Sequence, residues 1–294
     1  MLRLLLVCLG LLAARVSADK LEPRILFLGD SITYGGNWTV HVESAIRAQK
    51  GLGRATIVNM GLSSETASGL SESGHAGGAF PRPDVHERLG RVLAGFKPTV
   101  VIACYGINDG IYLPLEGRRQ LAFQQGIIRL RQACLTAGAR IIIVTPPLFA
   151  PDNRAKDVID YDGVMDVYGA WLVAQRNAGW QVIDIRPPLR AAVAAAKLAD
   201  PQFVYAKDSL HPGEMGHRFM AQAVWQGLAP MMDRWRADVP FAGDAKLAIL
   251  RESSTQLRDA WLMRVGHKRP GVKGGLQVPE AEARSAVLIN EYLR

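Results

Sequence analysis

Five short apolar runs, each rich in β-branched residues, return along the chain: ILFLG at 25, ATIVNM at 55, TVVIACYG at 99, RIIIVTPP at 140 and WQVIDI at 180. They are too short for core helices and too continuously apolar for strands with one wet face. Such runs predict strands of a parallel sheet buried on both faces. Helical stretches fill the gaps at roughly 39–50, 84–96, 115–138 and 158–178, and a last one at about 213–236 starts after HPGEMG. Strand and helix in alternation predict a three-layer α/β/α domain around a five-stranded parallel sheet, since each crossover helix must return the chain to start the next strand. With 294 residues, 49% of them hydrophobic, the chain is long enough to bury such a core.

The two ends depart from the pattern. Arg3, the apolar run LLLVCLGLLAA and the small residues VSA at 16–18 make the charged, apolar and cleavage segments of a secretory signal peptide. The apolar run is short for a bilayer span, so a cleaved leader is expected, with a secreted or periplasmic product and no stable membrane insertion. Beyond residue 238, DAKLAILRESSTQLRDAWLM sets Leu250, Leu257 and Trp261 at helical spacing, and PEAEARSAVLINEYLR reads as a second helix with Pro279 near its start. The basic stretch RVGHKRPGVK, 264–273, joins them. The expected organisation is a leader over 1–18, a main domain over 19–237 and a helical extension over 238–294 folded back on it. A flexible tail is the competing reading.

Charge and cysteine content exclude several classes. Loss of Arg3 and Arg15 with the leader lowers the formal charge from +8 to +6. With no long basic run, that excess reads as a mildly basic solvated surface, so no nucleic-acid partner is expected. Cys104 and Cys134 remain in the mature chain, which is no disulfide framework; both read as buried small apolar residues, with a single bridge as the alternative. There is no HExxH and no paired carboxylate and histidine cluster, so no metal or other cofactor is expected. Nothing in the sequence speaks to oligomeric state.

In an open parallel sheet, ligands bind outside the carboxyl ends of the strands. The first strand ends in GDS, residues 29–31, the second in NMG with Gly61 just beyond, and the third in YGIND with Asn108 just beyond; DSLHPG opens the last core helix. These stretches deliver a serine, a histidine and an acid to one edge. Ser31 can attack an ester carbonyl if a base takes its proton, and His211 is that base, since imidazole titrates near neutrality. Asp208, three residues earlier, can hold the other ring nitrogen and stabilise the imidazolium. The oxyanion donors expected are the N–H groups of Ser31 and Gly61 and the side-chain amide of Asn108; a glycine lets the substrate oxygen approach the backbone closely. No GxSxG elbow occurs in the chain.

The order GDS, Gly, GxND and DxxHP over residues 24–236 resembles the SGNH hydrolases, also called the GDSL esterase/lipase family. The name-giving residues fall on Ser31, Gly61, Asn108 and His211, with Asp208 completing the triad. The resemblance implies a flavodoxin-like α/β/α fold and metal-free ester hydrolysis, here in an exported bacterial member with a C-terminal helical extension. Ile32 stands where the family's motif has Leu, and Ser64 where relatives often carry glycine.

Other residues in these blocks have plainer readings. Asp30 and Asp109 read as hydrogen-bonders that order their own turns, His41 and His217 as structural, and Trp38, Tyr34 and Tyr112 as loop packing that could alternatively stack on a sugar or an acyl chain. His75 lies in the long polar, Gly-rich loop SSETASGLSESGHAGGAFPRP beside the expected site, where loops shape access. NWT at 37 matches a glycosylation acceptor but directly follows the nucleophile block, so it is discounted. The reading that results is an exported serine esterase acting on a small-molecule or polysaccharide ester, with O-acyl groups on carbohydrates first because the loop is open and polar. Acyl lipids, as for a lysophospholipase, come second. A non-catalytic module that binds cell-wall polysaccharide is the alternative of another class.

Overall fold

A computed structural model describes residues 23–150 and 160–294. The expected signal peptide lies outside the described residues. Five parallel strands, β1 (Arg24–Gly29), β2 (Thr56–Asn59), β3 (Val100–Cys104), β4 (Arg140–Val144) and β5 (Gln181–Ile183), form one sheet in the order β2-β1-β3-β4-β5. The chain starts near one edge, winds outward to β2, then crosses β1 to continue through β3, β4 and β5. The strand order thus reverses between β1 and β3, which opens a crevice at their carboxyl ends. Gly29 pairs in register with Cys104, and Cys104 with Val144, so these strands finish level with one another.

The helices are α1 (Ser31–Tyr34), α2 (Asn37–Arg47), α3 (Val85–Phe96), α4 (Gly117–Thr136), α5 (Tyr161–Ala174), α6 (Arg186–Ala199), α7 (Glu214–Leu228), α8 (Asp244–Val265) and α9 (Val278–Tyr292). Their apolar stripes and the strands share one core that runs from Ile25 to Ala281. Each Val, Leu or Ile side chain taken fully out of water contributes about 1.5–3 kcal/mol, which is why the continuously apolar runs end up central. Two helices depart from the sequence expectation. The first predicted helix, 39–50, is α2, and the short α1 before it, set off by Gly35–Gly36, was not expected; Gly36 takes the left-handed φ of 78°. The α6 segment is not among the expected helical stretches, and it opens on Pro187 and Pro188. They occupy the first turn of α6, where the N–H groups have no helical partner to lose.

Residues 244–265 and 278–292 are α8 and α9, which pack on each other, and α8 lies along β2, α2 and α3. Leu257, Trp261, Leu262 and Val265 enter the main core, and Trp261 meets the Phe96 ring edge-on at 5.3 Å. β2 is an edge strand whose flank α8 covers, a usual protection for an exposed edge. Among the described residues, Cys104 and Cys134 are buried free thiols, so the alternative of a bridge between them does not hold. No described helix is long and apolar enough to cross a membrane.

Candidate active site

β1 runs into α1 without a loop. Asp30 takes the N-cap position and its Oδ1 accepts the Ile32 N–H at 2.9 Å. That cap starts the helix at Ser31, whose own N–H belongs to the first turn and has no helical acceptor. The turn closes tightly: a Cβ at Gly29 would stand 2.2 Å from Thr33 Oγ1 and 2.6 Å from the Cys104 carbonyl oxygen. Only glycine fits between β1, β3 and α1 at that point.

Ser31 Oγ lies 2.8 Å from His211 Nε2, across 180 residues of sequence. His211 Nδ1 lies 2.6 Å from Asp208 Oδ2, while Asp208 Oδ1 accepts the N–H groups of Leu210 and His211 at 3.0 and 2.7 Å. A carboxylate can only accept, so Nδ1 carries the ring proton and Nε2 is left to accept from Ser31. The partial burial of Asp208 raises its carboxyl, but the hydrogen bonds from His211 and Leu210 outweigh that and hold it at about 2. The loop carrying both groups is pinned by Ala150 N–H to Ser209 O at 2.9 Å and Gly213 N–H to Tyr205 O at 2.8 Å. His211 and Asp208 keep 46% and 55% of their side-chain surface in solvent, so the cleft is open.

The expected oxyanion donors divide. Asn108 is buried; its Nδ2 donates to the Glu65 carbonyl at 3.1 Å and its Oδ1 accepts the Tyr112 hydroxyl at 2.8 Å. This fixes the amide's orientation and leaves one of its two N–H bonds uncommitted. Gly61 is a correction. Its N–H donates to the Asn59 side-chain carbonyl at 2.8 Å, and a Cβ on it would meet the Tyr34 nitrogen at 2.5 Å and the Thr33 carbonyl carbon at 2.8 Å. The missing side chain thus serves the packing of α1 on the loop after β2, not the approach of a substrate oxygen. In that loop Ser64 stands on a left-handed backbone, at φ 69°, and its N–H makes no hydrogen bond among the described residues. A left-handed φ favours glycine, which accounts physically for the residue type that relatives carry there.

Beneath the cleft lies a layer of buried charge that no sequence motif announces. Glu65 is held by Arg88 through Nε at 2.6 Å and Nη2 at 2.7 Å, and accepts the Tyr105 hydroxyl at 2.7 Å. Burial pushes the Glu65 carboxyl up and Arg88 opposes the rise. Asp109 Oδ1 accepts from the Ala67 and Ser68 N–H groups, so it orders the neighbouring loop as well as its own turn, where the Gly106 backbone also favours the carboxylate; burial lifts its carboxyl to about 6. Burial likewise lifts Asp30 to about 7, against the pull of the Ile32 N–H.

The remaining candidates fall away from the reacting atoms. Trp38 is buried edge-on against Phe27, His41 packs on Phe241, and His217 is buried, where desolvation lowers its imidazole to about 4. His75 contacts Glu72 and Phe80 within its own loop. Tyr112 touches the site through Asn108. Among the described residues, no group of three or more His, Cys, Asp and Glu side chains is arranged to hold a metal ion.

A serine at the carboxyl edge of a doubly wound parallel sheet, bonded to a histidine that a carboxylate orients, defines a serine hydrolase of the α/β/α type. The profile of the GDSL-like lipase/acylhydrolase family matches residues 27–219, well over half of the chain, and the protein belongs to that family. It is therefore a serine ester hydrolase. No curated protein matches the sequence significantly. Several solved structures share the fold. An acetyl xylan esterase, AlAXEase, aligns at 18% identity and TM-score 0.54, covering 70% of this chain and 99% of its own. A catalytic mutant of Axe2, an acetylxylan esterase from Geobacillus stearothermophilus, aligns at 21% identity and TM-score 0.51, covering 70% and 93%. A gut microbial diltiazem-metabolizing enzyme, BT4096, aligns at 20% identity and TM-score 0.49, and this chain spans 46% of its length.

Proposed function

We propose that the protein is an exported esterase that removes O-acyl groups, acetyl foremost, from carbohydrates through an acyl-enzyme on Ser31. The reading rests on the hydrogen-bonded series Ser31, His211, Asp208, with spacings of 2.8 and 2.6 Å. His211 takes the Ser31 proton as Oγ attacks the ester carbonyl, and Asp208 balances the imidazolium. The oxyanion is met by the Ser31 N–H, the free N–H of the Asn108 amide and the Ser64 N–H, the last in place of Gly61. The imidazolium then protonates the departing alcohol. Water, deprotonated by the same ring, releases the acid.

The carbohydrate assignment is supported by the open, polar cleft and by the two fold neighbours that are acetyl xylan esterases. A second reading has an observation of its own: Leu113 and Leu115, on the loop that follows Asn108, expose 39% and 48% of their surface, which suits an acyl chain. An ester panel with Ser31→Ala as control separates them. Acetylated xylo-oligosaccharides turned over faster than long-chain lysophospholipids support the first reading, and the reverse preference overturns it. Export follows from the leader reading, with 19–237 as the hydrolase domain and 238–294 as its extension. N-terminal sequencing of protein recovered outside the cytoplasm should begin at Asp19; an intact Met1 there rejects the cleavage.

A further inference from the structure

The helix that carries Ser31 has four residues, and it ends on carbonyls that must be held from outside. A single helical turn has no cooperative stability of its own, and Gly35–Gly36 follow it. The Thr33 carbonyl accepts the Asn59 side-chain amide at 2.6 Å. The Tyr34 carbonyl accepts Arg258 Nη1 at 2.7 Å, from a residue of α8 that lies 224 positions away. The Arg258 guanidinium also stacks on the Tyr34 ring, 4.0 Å from its centroid, and Asp259 Oδ1 holds its Nε and Nη2 at 2.9 and 2.8 Å. With 12% of its side chain exposed, the contact is largely shielded from water. The anchor is firm: Leu257 and Trp261, on either side of Arg258 in α8, are both buried in the main core.

We propose that Arg258 is a positioning residue for the nucleophile, and that α8 is thereby part of the catalytic apparatus. This rests on the reading of Ser31 as nucleophile. Arg258 lies beyond the residues, 27–219, that the family profile matches, so the device is a property of this chain's C-terminal helices. A planar guanidinium suits the task because it can stack on the Tyr34 ring and donate to the Tyr34 carbonyl at once. A cation at the carboxyl end of α1 also opposes the partial negative charge there. Freed from it, α1 can tilt about Gly36, and Ser31 Oγ leaves the 2.8 Å contact with His211. An ångström of misplacement at a reacting atom costs about 10²-fold in rate.

The test uses the full chain with Arg258→Met, Arg258→Gln and Arg258→Lys. The readouts are kcat and KM on p-nitrophenyl acetate, the rate of Ser31 modification by a serine-directed phosphonate, and the melting temperature. Arg258→Met should lower kcat about 10- to 100-fold and slow phosphonylation in parallel, with KM within about threefold. Arg258→Lys, which keeps a charged donor, should recover part of the loss. Arg264→Met, on the exposed side of the same helix, serves as control and should match wild type. A soluble Met variant with wild-type kcat and phosphonylation overturns the proposal, as does a loss confined to melting temperature. If the Met variant does not fold, wild-type kcat in both Lys and Gln variants overturns it, and kcat falling from wild type to Lys to Gln supports it. Full activity in Ser31→Ala would instead sink the nucleophile reading itself, an outcome the Arg258 series does not produce.

Discussion

Replacing Asp208 by Asn should harm catalysis more than replacing it by Ala, although Asn is the closer mimic. Oδ1 of Asp208 accepts two backbone N–H groups, at 3.0 and 2.7 Å, and Oδ2 faces His211 Nδ1 at 2.6 Å. In Asp208→Asn the loop's two donors demand the amide's carbonyl oxygen at the Oδ1 place. The NH₂ group is then aimed at Nδ1, which must accept. The ring proton moves to Nε2, where it points at Ser31 Oγ and blocks the base. In a serine protease the same exchange lowers kcat by about 10⁴; here the acid is half in water, so about 10²–10⁴ is expected. In Asp208→Ala water can take the vacated place and accept from Nδ1, so the productive tautomer survives and the loss should stop near 10–10². The backbone penalty runs the other way, since Ala removes the acceptor of two loop hydrogen bonds worth about 1 kcal/mol each when dry and less at this exposed site. Asn should therefore melt higher and turn over slower than Ala. The assay is kcat on p-nitrophenyl acetate beside calorimetric melting of both variants. Turnover by Asn equal to or above that of Ala would refute the tautomer argument.

Asn108→Ala removes one oxyanion donor and should lower kcat about 10²–10³-fold with little change in KM; an effect under threefold in steady-state kinetics would remove Asn108 from that role. Gly61→Ala drives a methyl against the Tyr34 nitrogen, so it should displace α1 and lower kcat and melting temperature together; a stable, fully active variant would contradict the packing account. Arg88→Met leaves Glu65 buried without its cation and should destabilise by about 3–5 kcal/mol in urea unfolding; a loss below about 1 kcal/mol would mean that Glu65 takes up a proton cheaply. For Asp30, burial lifts the folded carboxyl from 3.8 to about 7, so the folded state binds this proton more tightly than the unfolded chain. Its contribution is complete below pH 4 and is lost as pH rises through 7, by about 4 kcal/mol at 1.36 kcal/mol per pH unit. Asp30→Asn, which keeps a carbonyl for the Ile32 N–H, should flatten the fall in stability between pH 4 and 7 seen in urea unfolding, and an unchanged slope would reject the assignment.

The alternation of apolar runs carried the fold, because a strand buried on both faces leaves no polar residue to disguise it. Ser31, Asp208 and His211 were legible for a local reason: strand ends and helix starts are marked by short-range chemistry, and the edge rule brings them together without knowledge of packing. Gly61 shows where that logic stops. A glycine in sequence says that something must come close, but not what; here it is the backbone of Tyr34, and the N–H is taken by Asn59. The segment of α6 went unread although Pro187 and Pro188 stand in its first turn, because a proline pair is equally compatible with the end of a helix and with its start. Glu65, Arg88 and Tyr105 stand 23 and 40 positions apart in their pairings. Ion pairs at such separations leave no periodic trace, so only the folded chain shows that this acid is compensated.

The arrangement also explains why the reacting groups can be so exposed while their supports are not. The imidazole and the carboxylate of Asp208 stand in solvent, where a proton must pass and a bulky alcohol must leave. An exposed pair gains little from its own attraction and cannot fix its own geometry. Rigidity has to come from below. Asp30 caps the Ser31 turn from inside, Asn59 and Arg258 hold its far end, and Asp109 and Glu65 order the loop whose carbonyl aims the Asn108 amide. Each of these supports is buried or nearly so, where a hydrogen bond is stronger and its loss dearer. The division predicts that substitutions in the supports move kcat and stability together, while those at Ser31 and His211 move kcat alone.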